Sequence, residues 1–228
     1  DTISITAPDP LTTSSELTCT AAASDADDDA LTISYAWANG STTLDPGSDD
    51  STLTLTNSSS APGDTITCTA TVIDDEDASA SDSASAEVQN TLPEIEISDP
   101  TDGAVVNEGT AITFTATASD ADEDESGLSI AWSSSTDGDL GSGSSISSTL
   151  SAGAHTVMAT VTDSDGGTAE ASVTVTINVL PTAPTVSIAP DPATTGDDLT
   201  ASASSTDPDS SGTLTYSYQW YQGSVELT

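Results

Sequence analysis

Phe114-Thr-Ala-Thr-Ala-Ser-Asp120-Ala-Asp122, followed by Leu128-Ser-Ile-Ala-Trp132, decides the fold, because the chain carries this stretch three times. The earlier copy is Cys19-Thr-Ala-Ala-Ala-Ser-Asp25-Ala-Asp27 with Leu31-Thr-Ile-Ser-Tyr-Ala-Trp37. The later copy is Ala201-Ser-Ala-Ser-Ser-Thr-Asp207-Pro-Asp209 with Leu214-Thr-Tyr-Ser-Tyr-Gln-Trp220. Each copy reads as an alternating strand, an Asp-x-Asp loop and a second strand closing on Trp. Apolar residues alternating with Thr and Ser have the period-two signature of a half-buried strand. The repeat length is roughly 90 residues, the size of one β-sandwich domain.

A second half-module repeats as well. Ile66-Thr-Cys68-Thr-Ala-Thr-Val-Ile-Asp74-Asp-Glu-Asp77 aligns with Thr156-Val157-Met-Ala-Thr-Val-Thr-Asp163-Ser-Asp165-Gly-Gly. A further strand is expected over 84–88 and again over 171–179. The linkers Asn90-Thr-Leu-Pro93 and Asn178-Val-Leu-Pro181 lead into the next module. Modules are therefore expected at 1–91, 92–180 and 181–228, the third lacking its closing strands. With no initiator Met and an end just past Trp220, the chain reads as a piece of a longer protein.

Cys19, Trp37 and Cys68 have the order and separations of an immunoglobulin-type disulfide with its packing Trp. The second module places Phe114 and Val157 at the two cysteine positions, an apolar pair filling the same hole. A structural staple permits that exchange, whereas a redox site does not. The disulfide fits an oxidising, extracytoplasmic compartment. The fold class expected is all-β: tandem immunoglobulin-like β-sandwich modules, two complete and one partial.

Ala152-Gly153-Ala-His155-Thr-Val-Met-Ala-Thr-Val-Thr-Asp163-Ser-Asp165-Gly-Gly resembles the closing half of PKD and related bacterial Ig-like repeats. The shared pattern is a Gly-aromatic turn, a Val/Thr strand and an Asp-x-Asp-Gly loop. The WDFGDG-like stretch of true PKD domains is missing, since Ser133-Ser-Ser-Thr-Asp137-Gly138 follows Trp132. The broader resemblance is to surface-protein Ig-like repeats, including calcium-stiffened extender modules of bacterial adhesins. It implies an extracellular or cell-surface structural role.

Charge narrows the partners. The 228 residues hold 38 Asp and Glu, one His and no Lys or Arg, giving a formal charge of −38. Phosphate binding needs basic side chains to displace counterions, so nucleic acid is excluded. An anionic membrane surface is excluded on the same ground. No apolar run approaches the ~18 residues of a spanning helix. The absence of Lys and Arg also removes every trypsin-type cleavage site.

The carboxylates cluster in the two loops that an immunoglobulin-like sandwich brings to one end. The first module offers Asp25, Asp27, Asp29, Asp74, Asp75 and Asp77. The second offers Asp120, Asp122, Asp124, Asp163 and Asp165 beside Asn90, and the third Asp207 and Asp209 beside Asn178. Calcium takes six to eight hard oxygen ligands, and alternating Asp side chains supply them. Mg²⁺ prefers strict octahedral geometry and keeps its waters, and transition metals want the His or Cys these loops lack. Calcium at the module junctions is the expected cofactor; solvated acidic turn residues are the plainer reading.

Other features carry less. His155 stands two residues before the second cysteine-equivalent position, where a structural hydrogen bond is expected. No G-x-S-x-G elbow and no second His support a triad, and the chain is expected not to be an enzyme. Asn39-Gly-Ser41 and Asn57-Ser-Ser59 match the N-glycosylation sequon and are expected on exposed loops. Tyr216, Tyr218 and Tyr221 form either a sugar- or protein-contact strip or the two faces of one strand. The function expected is a structural repeat of a longer fibre, stalk or surface layer, partnered by other copies or modules of itself. The alternatives are an adhesive module for glycans or a partner protein, and a spacer attached to a secreted hydrolase.

Overall fold

The computed structural model describes residues 2–25, 30–44, 50–210 and 213–227. Among them there are nineteen strands and no helix, and hence no helix long and apolar enough to cross a membrane.

The first sandwich packs two sheets. One is β1 (Thr2–Thr6), β2 (Glu16–Ala22) and β5 (Thr52–Thr54), in that order. The other runs β4 (Thr42–Thr43), β3 (Thr32–Asn39), β6 (Thr65–Ile73) and β7 (Ser79–Glu87). Alternation builds the core: along β6, Ile66, Cys68 and Ala70 point inward and the intervening threonines sit nearer solvent. Leu17, Trp37, Leu55 and the Cys19–Cys68 disulfide complete it, with the Trp37 indole donating to Asp50 O at 3.1 Å. The stapled Cys–Trp–Cys core is thus formed as expected.

The second sandwich contains β8 (Glu94–Asp99), β9 (Ala104–Asn107), β10 (Ile112–Ser119), β11 (Ser129–Ser134), β12 (Gly138–Ser142), β13 (Ser145–Ser148), β14 (Gly153–Thr162) and β15 (Thr168–Asn178). Its sheets are ordered β13-β10-β8 and β12-β11-β14-β15-β9, the β9–β15 pair being parallel. Phe114 and Val157 are fully buried at the cysteine-equivalent positions. The Phe114 ring lies 5.7 Å from that of Trp132, whose indole donates to Gly143 O at 2.9 Å.

The strands after the two F–G type loops start earlier than expected. β7 begins at Ser79 and β15 at Thr168, because the hairpins pair from Ile73↔Ser79 and from Thr162↔Thr168 onward. Cross-strand hydrogen bonds hold residues that have no apolar alternation of their own.

The third module is open. β16 (Thr185–Ala189) pairs with β17 (Thr200–Ser204), and β18 (Trp220–Gln222) with β19 (Val225–Leu227). The strand expected over 214–220 is not formed before Trp220. Its counterparts β3 and β11 are held by β6 and β14, and the described residues of the third module contain no such partner. Val186 is consequently 61% and Tyr218 47% exposed. Tyr216 and Tyr221 are exposed too, and the Tyr216 hydroxyl accepts from Ser205 N at 2.9 Å.

Candidate functional site at the module seam

The loop between β10 and β11 carries the Asp120-Ala-Asp122 doublet against the linker from the first module. Asp122 is the hub. Its Oδ2 accepts from Thr91 N at 2.5 Å and Thr91 Oγ1 at 2.7 Å, and its Oδ1 lies 2.6 Å from Thr13 Oγ1. Thr13, fully buried, belongs to the first sandwich and also reaches Asn57 Oδ1 at 2.8 Å. Asn57 Nδ2 donates back to Ala121 O at 2.8 Å. The first module's turn residues thus bond directly to the second module's doublet.

The loop between β14 and β15 closes the same end. Asp163 Oδ1 accepts from Asp165 N at 3.0 Å and Gly167 N at 2.7 Å, while Oδ2 accepts from Asn90 Nδ2 at 2.9 Å. Gly167 is required for this approach. A Cβ there would lie 2.3 Å from Asp163 Oδ2 and 2.8 Å from Asn90 Nδ2. The first module repeats the loop: Asp74 Oδ1 accepts from Glu76 N and Ala78 N at 2.9 and 2.8 Å. At these two positions the turn role of Asp is realised.

The linker contact recurs as well. Val179, at the position of Thr91, donates its backbone N–H to Asp209 Oδ2 at 2.7 Å. In the second and third modules the second Asp of the doublet therefore caps the linker that precedes it. The first Asp behaves differently. Asp120 Oδ1 accepts from Asp122 N at 2.6 Å, but its Oδ2 is buried with no hydrogen-bond partner. Asp207, the equivalent residue, likewise has a buried oxygen, Oδ1, without a partner.

These contacts shift the acids in opposite directions. Burial pushes Asp122 up, but the hydrogen bonds from Thr13 and Thr91 outweigh it and hold the carboxyl below its ordinary range. Burial likewise opposes, and the bonds from Asn90, Gly167, Asp165 and Gly166 overcome, at Asp163. The Val179 bond lowers Asp209, whereas burial, then the neighbouring Asp209, raises Asp207. A lowered carboxyl contributes stability above its unfolded value and loses it as pH falls through the folded one. The Asp122 seam is therefore expected to loosen on acidification below the ordinary carboxylate range. Amide exchange at Thr91 checks this: protection should fall with pH in the native chain and lose that dependence in Asp122→Ala.

Whether the expected calcium ligands suit an ion is a question of free oxygens. The donors are all oxygen, and a buried carboxylate oxygen without a partner is costly unless a cation or proton supplies it. Asp120 and Asp207 meet that description. Asp122 and Asp163 use both oxygens on protein donors, and Asp124 Oδ1 accepts from Ser126 N and Oγ. Among the described residues no three His, Cys, Asp or Glu side chains converge as an ion cage. Asp75, Asp77 and Asp165 are exposed, Asn178 Nδ2 bonds Asn107 Oδ1, and Asp27 and Asp29 lie outside the described residues. Asp25 lines a shallow depression of the first module together with Asp74. The fit is thus to an anchor oxygen in the Asp120 and Asp207 doublets, without a complete shell.

Thr13 and Thr91 were not among the expected site residues. The signal for Thr91 was its place after the linker Asn. Asn57 was expected as a sequon, and its amide nitrogen is engaged across the seam. Asn39 lies at the end of β3 instead of on an exposed loop, its Nδ2 bonding Asp64 Oδ2 at 2.5 Å and Ser59 O at 3.3 Å. His155 has the structural role expected: it is buried, Nε2 donates to Ser151 O at 2.8 Å, and Nδ1 accepts from Ser134 Oγ at 2.8 Å. Asp137 Oδ2 is 3.7 Å from that Nδ1. Ser134 Oγ also receives Thr136 N and Asp137 N at 3.2 Å, so it caps a turn and is only 6% exposed.

Residues 90–176 match the bacterial Ig domain family, spanning the 152–167 stretch that carries the resemblance. The central module is Ig-like and similar to the bacterial Ig domain family. Its Asp doublet, linker Asn90 and all but the last two residues of the closing hairpin lie within the matched segment. Among solved structures, fibronectin(III)-like modules of Clostridium thermocellum CbhA are similar at 16% identity, covering 77% of this chain and 95% of that one, with a TM-score of 0.37. Three N-terminal domains of the bacteriophage RB49 Hoc capsid protein share 20% identity over 92% of this chain and 71% of theirs, with a TM-score of 0.34. Domains 4 and 5 of the S-layer protein SbsC share 18% identity over 78% and 98%, with a TM-score of 0.30. No curated protein matches the chain.

Proposed function

We propose that the chain is a non-enzymatic structural repeat region of a longer extracellular fibre, stalk or surface-layer protein. The observation that carries this reading is the Asp122 seam, where linker and preceding module bond to one carboxylate. Asp209 repeats the linker contact in the next module. Such seams turn separate sandwiches into a load-bearing row. The disulfide supports an oxidising location outside the cytoplasm. The partners in this reading are further modules or copies of the same protein.

Calcium at the seams is part of the proposal. The supporting observations are the partnerless buried oxygens of Asp120 and Asp207 and a chain with no Lys or Arg to balance 38 acids. Asp120 and Asp207 would anchor the ion. When bound it neutralises the doublet and links loop to linker. Binding to the folded state alone stabilises by about 2.7 kcal/mol at a hundredfold excess over Kd.

Thermal melting tests the cation. Calcium is expected to raise the Tm above the value in chelator by more than sodium chloride of matched ionic strength does. Asp120→Asn is expected to shrink that increment. Equal shifts with calcium and sodium chloride would show screening alone and reject the site.

A further inference from the structure

The two seams share a linker cap but not a lock. In the first module a turn bond, Ser15 N to Thr12 O at 3.1 Å, precedes buried Leu17 and Cys19. In the second, Thr110 N to Thr-equivalent Asn107 O at 3.2 Å precedes buried Ile112 and Phe114 at the same offsets. Thr13 and Glu108 therefore occupy equivalent positions, the face of each sandwich turned towards the following module.

At the first seam Thr13 supplies a hydroxyl to Asp122, and Thr91 supplies a second hydroxyl as well as its N–H. At the second seam Glu108 stands where Thr13 does, and Val179 where Thr91 does. Both side-chain donors are replaced, one by an apolar group and one by a carboxylate. An ionised Glu has no hydrogen to donate, and the Glu108 N–H bond to Asn178 O at 2.9 Å sets the residue beside the linker of this seam. Only the backbone bond from Val179 N to Asp209 persists of the three groups that hold Asp122.

We infer that the chain alternates a locked joint with a hinged one, the residue at the Thr13/Glu108 position deciding which. Seam one is stiff because the body of the first sandwich, and not just the linker, is bonded to the doublet. Seam two swings about its linker because the body of the second sandwich presents a carboxylate with no hydrogen to donate. This mechanism does not depend on a cation and is tested in chelator.

Paired spin labels on the full chain read both joints. One pair, Ser83→Cys with Ser172→Cys, spans seam one; another, Ser172→Cys with Ser202→Cys, spans seam two. All three sites lie on exposed strand faces, and the native cysteines stay oxidised. The first distance distribution is expected to be at least twofold narrower than the second. Thr13→Glu should broaden the first to the width of the second, and Glu108→Thr with Val179→Thr should narrow the second. Equal widths in the native chain, or a first distribution unmoved by Thr13→Glu, would overturn the inference. Amide exchange in β6 and β14 confirms that each variant keeps its sandwiches folded. Where Thr13→Glu unfolds the first module, the Glu108→Thr, Val179→Thr chain alone decides: no narrowing rejects the hinge.

Discussion

Trp132→Ala is expected to lower the stability of the central Ig-like module by about 3–5 kcal/mol, the range for deleting a large buried aromatic. The indole is 1% exposed and sits between the two sheets against Phe114. Losing it removes that ring contact and leaves a cavity lined by Phe114, Val157 and neighbours already in fixed positions. It also removes the hydrogen bond from the indole N–H to Gly143 O in the turn after β12. Gly143 is exposed, so water can replace the indole at that carbonyl and the lost bond adds little to the cavity cost. Hydrogen exchange locates the effect: protection in β11 and β14 should fall steeply while that in β3 and β6 holds. Native-like protection in β11 and β14 would show that the Trp is not the keystone of that core. Trp132→Phe, which keeps a ring but not the donor, should lie between.

Removing the Cys19–Cys68 link by alanine at both positions is expected to destabilise the first module by about 4 kcal/mol. The chain-entropy account gives this for a closed loop of 49 residues. Both sulfurs are buried beside Trp37, so packing is lost together with the cross-link. The second module supplies a control, since Phe114 and Val157 fill the same positions without a bond. Cys19→Phe with Cys68→Val should therefore recover the packing part and leave the cross-link part missing. Denaturant unfolding read at Trp37 separates them. A midpoint unchanged by the double alanine variant would mean that the staple contributes nothing to the folded module.

Much of this architecture is legible in the residues. Alternation in Ile66 to Ile73 and in Thr156 to Thr162 marks strands because side chains of a strand alternate between core and solvent. The Cys–Trp–Cys order, and its Phe–Trp–Val substitute, mark one core position because all three must meet in a hole of fixed volume. β9 was invisible. Ala104–Asn107 is held by parallel pairing to Val175–Asn178, and nothing local announces a partner about seventy residues away. The first half of β7 was invisible for the same reason, being Ser- and Ala-rich and defined by β6 alone.

The acids divide along the same line. Sequence by itself determined that carboxylates gather at the module ends, since the doublets and the Asp-rich loops repeat with the strands that carry them. It also determined that no Lys or Arg answers them. Only the tertiary structure decided what each oxygen does. Asp163 holds its own turn and Asn90, Asp122 takes Thr13 from the neighbouring sandwich, and Asp120 keeps one buried oxygen without a partner. The reason is directional. A hydrogen bond depends on where a lone pair points and what donor a distant segment places there, and neither is encoded in the spacing of Asp residues along the chain.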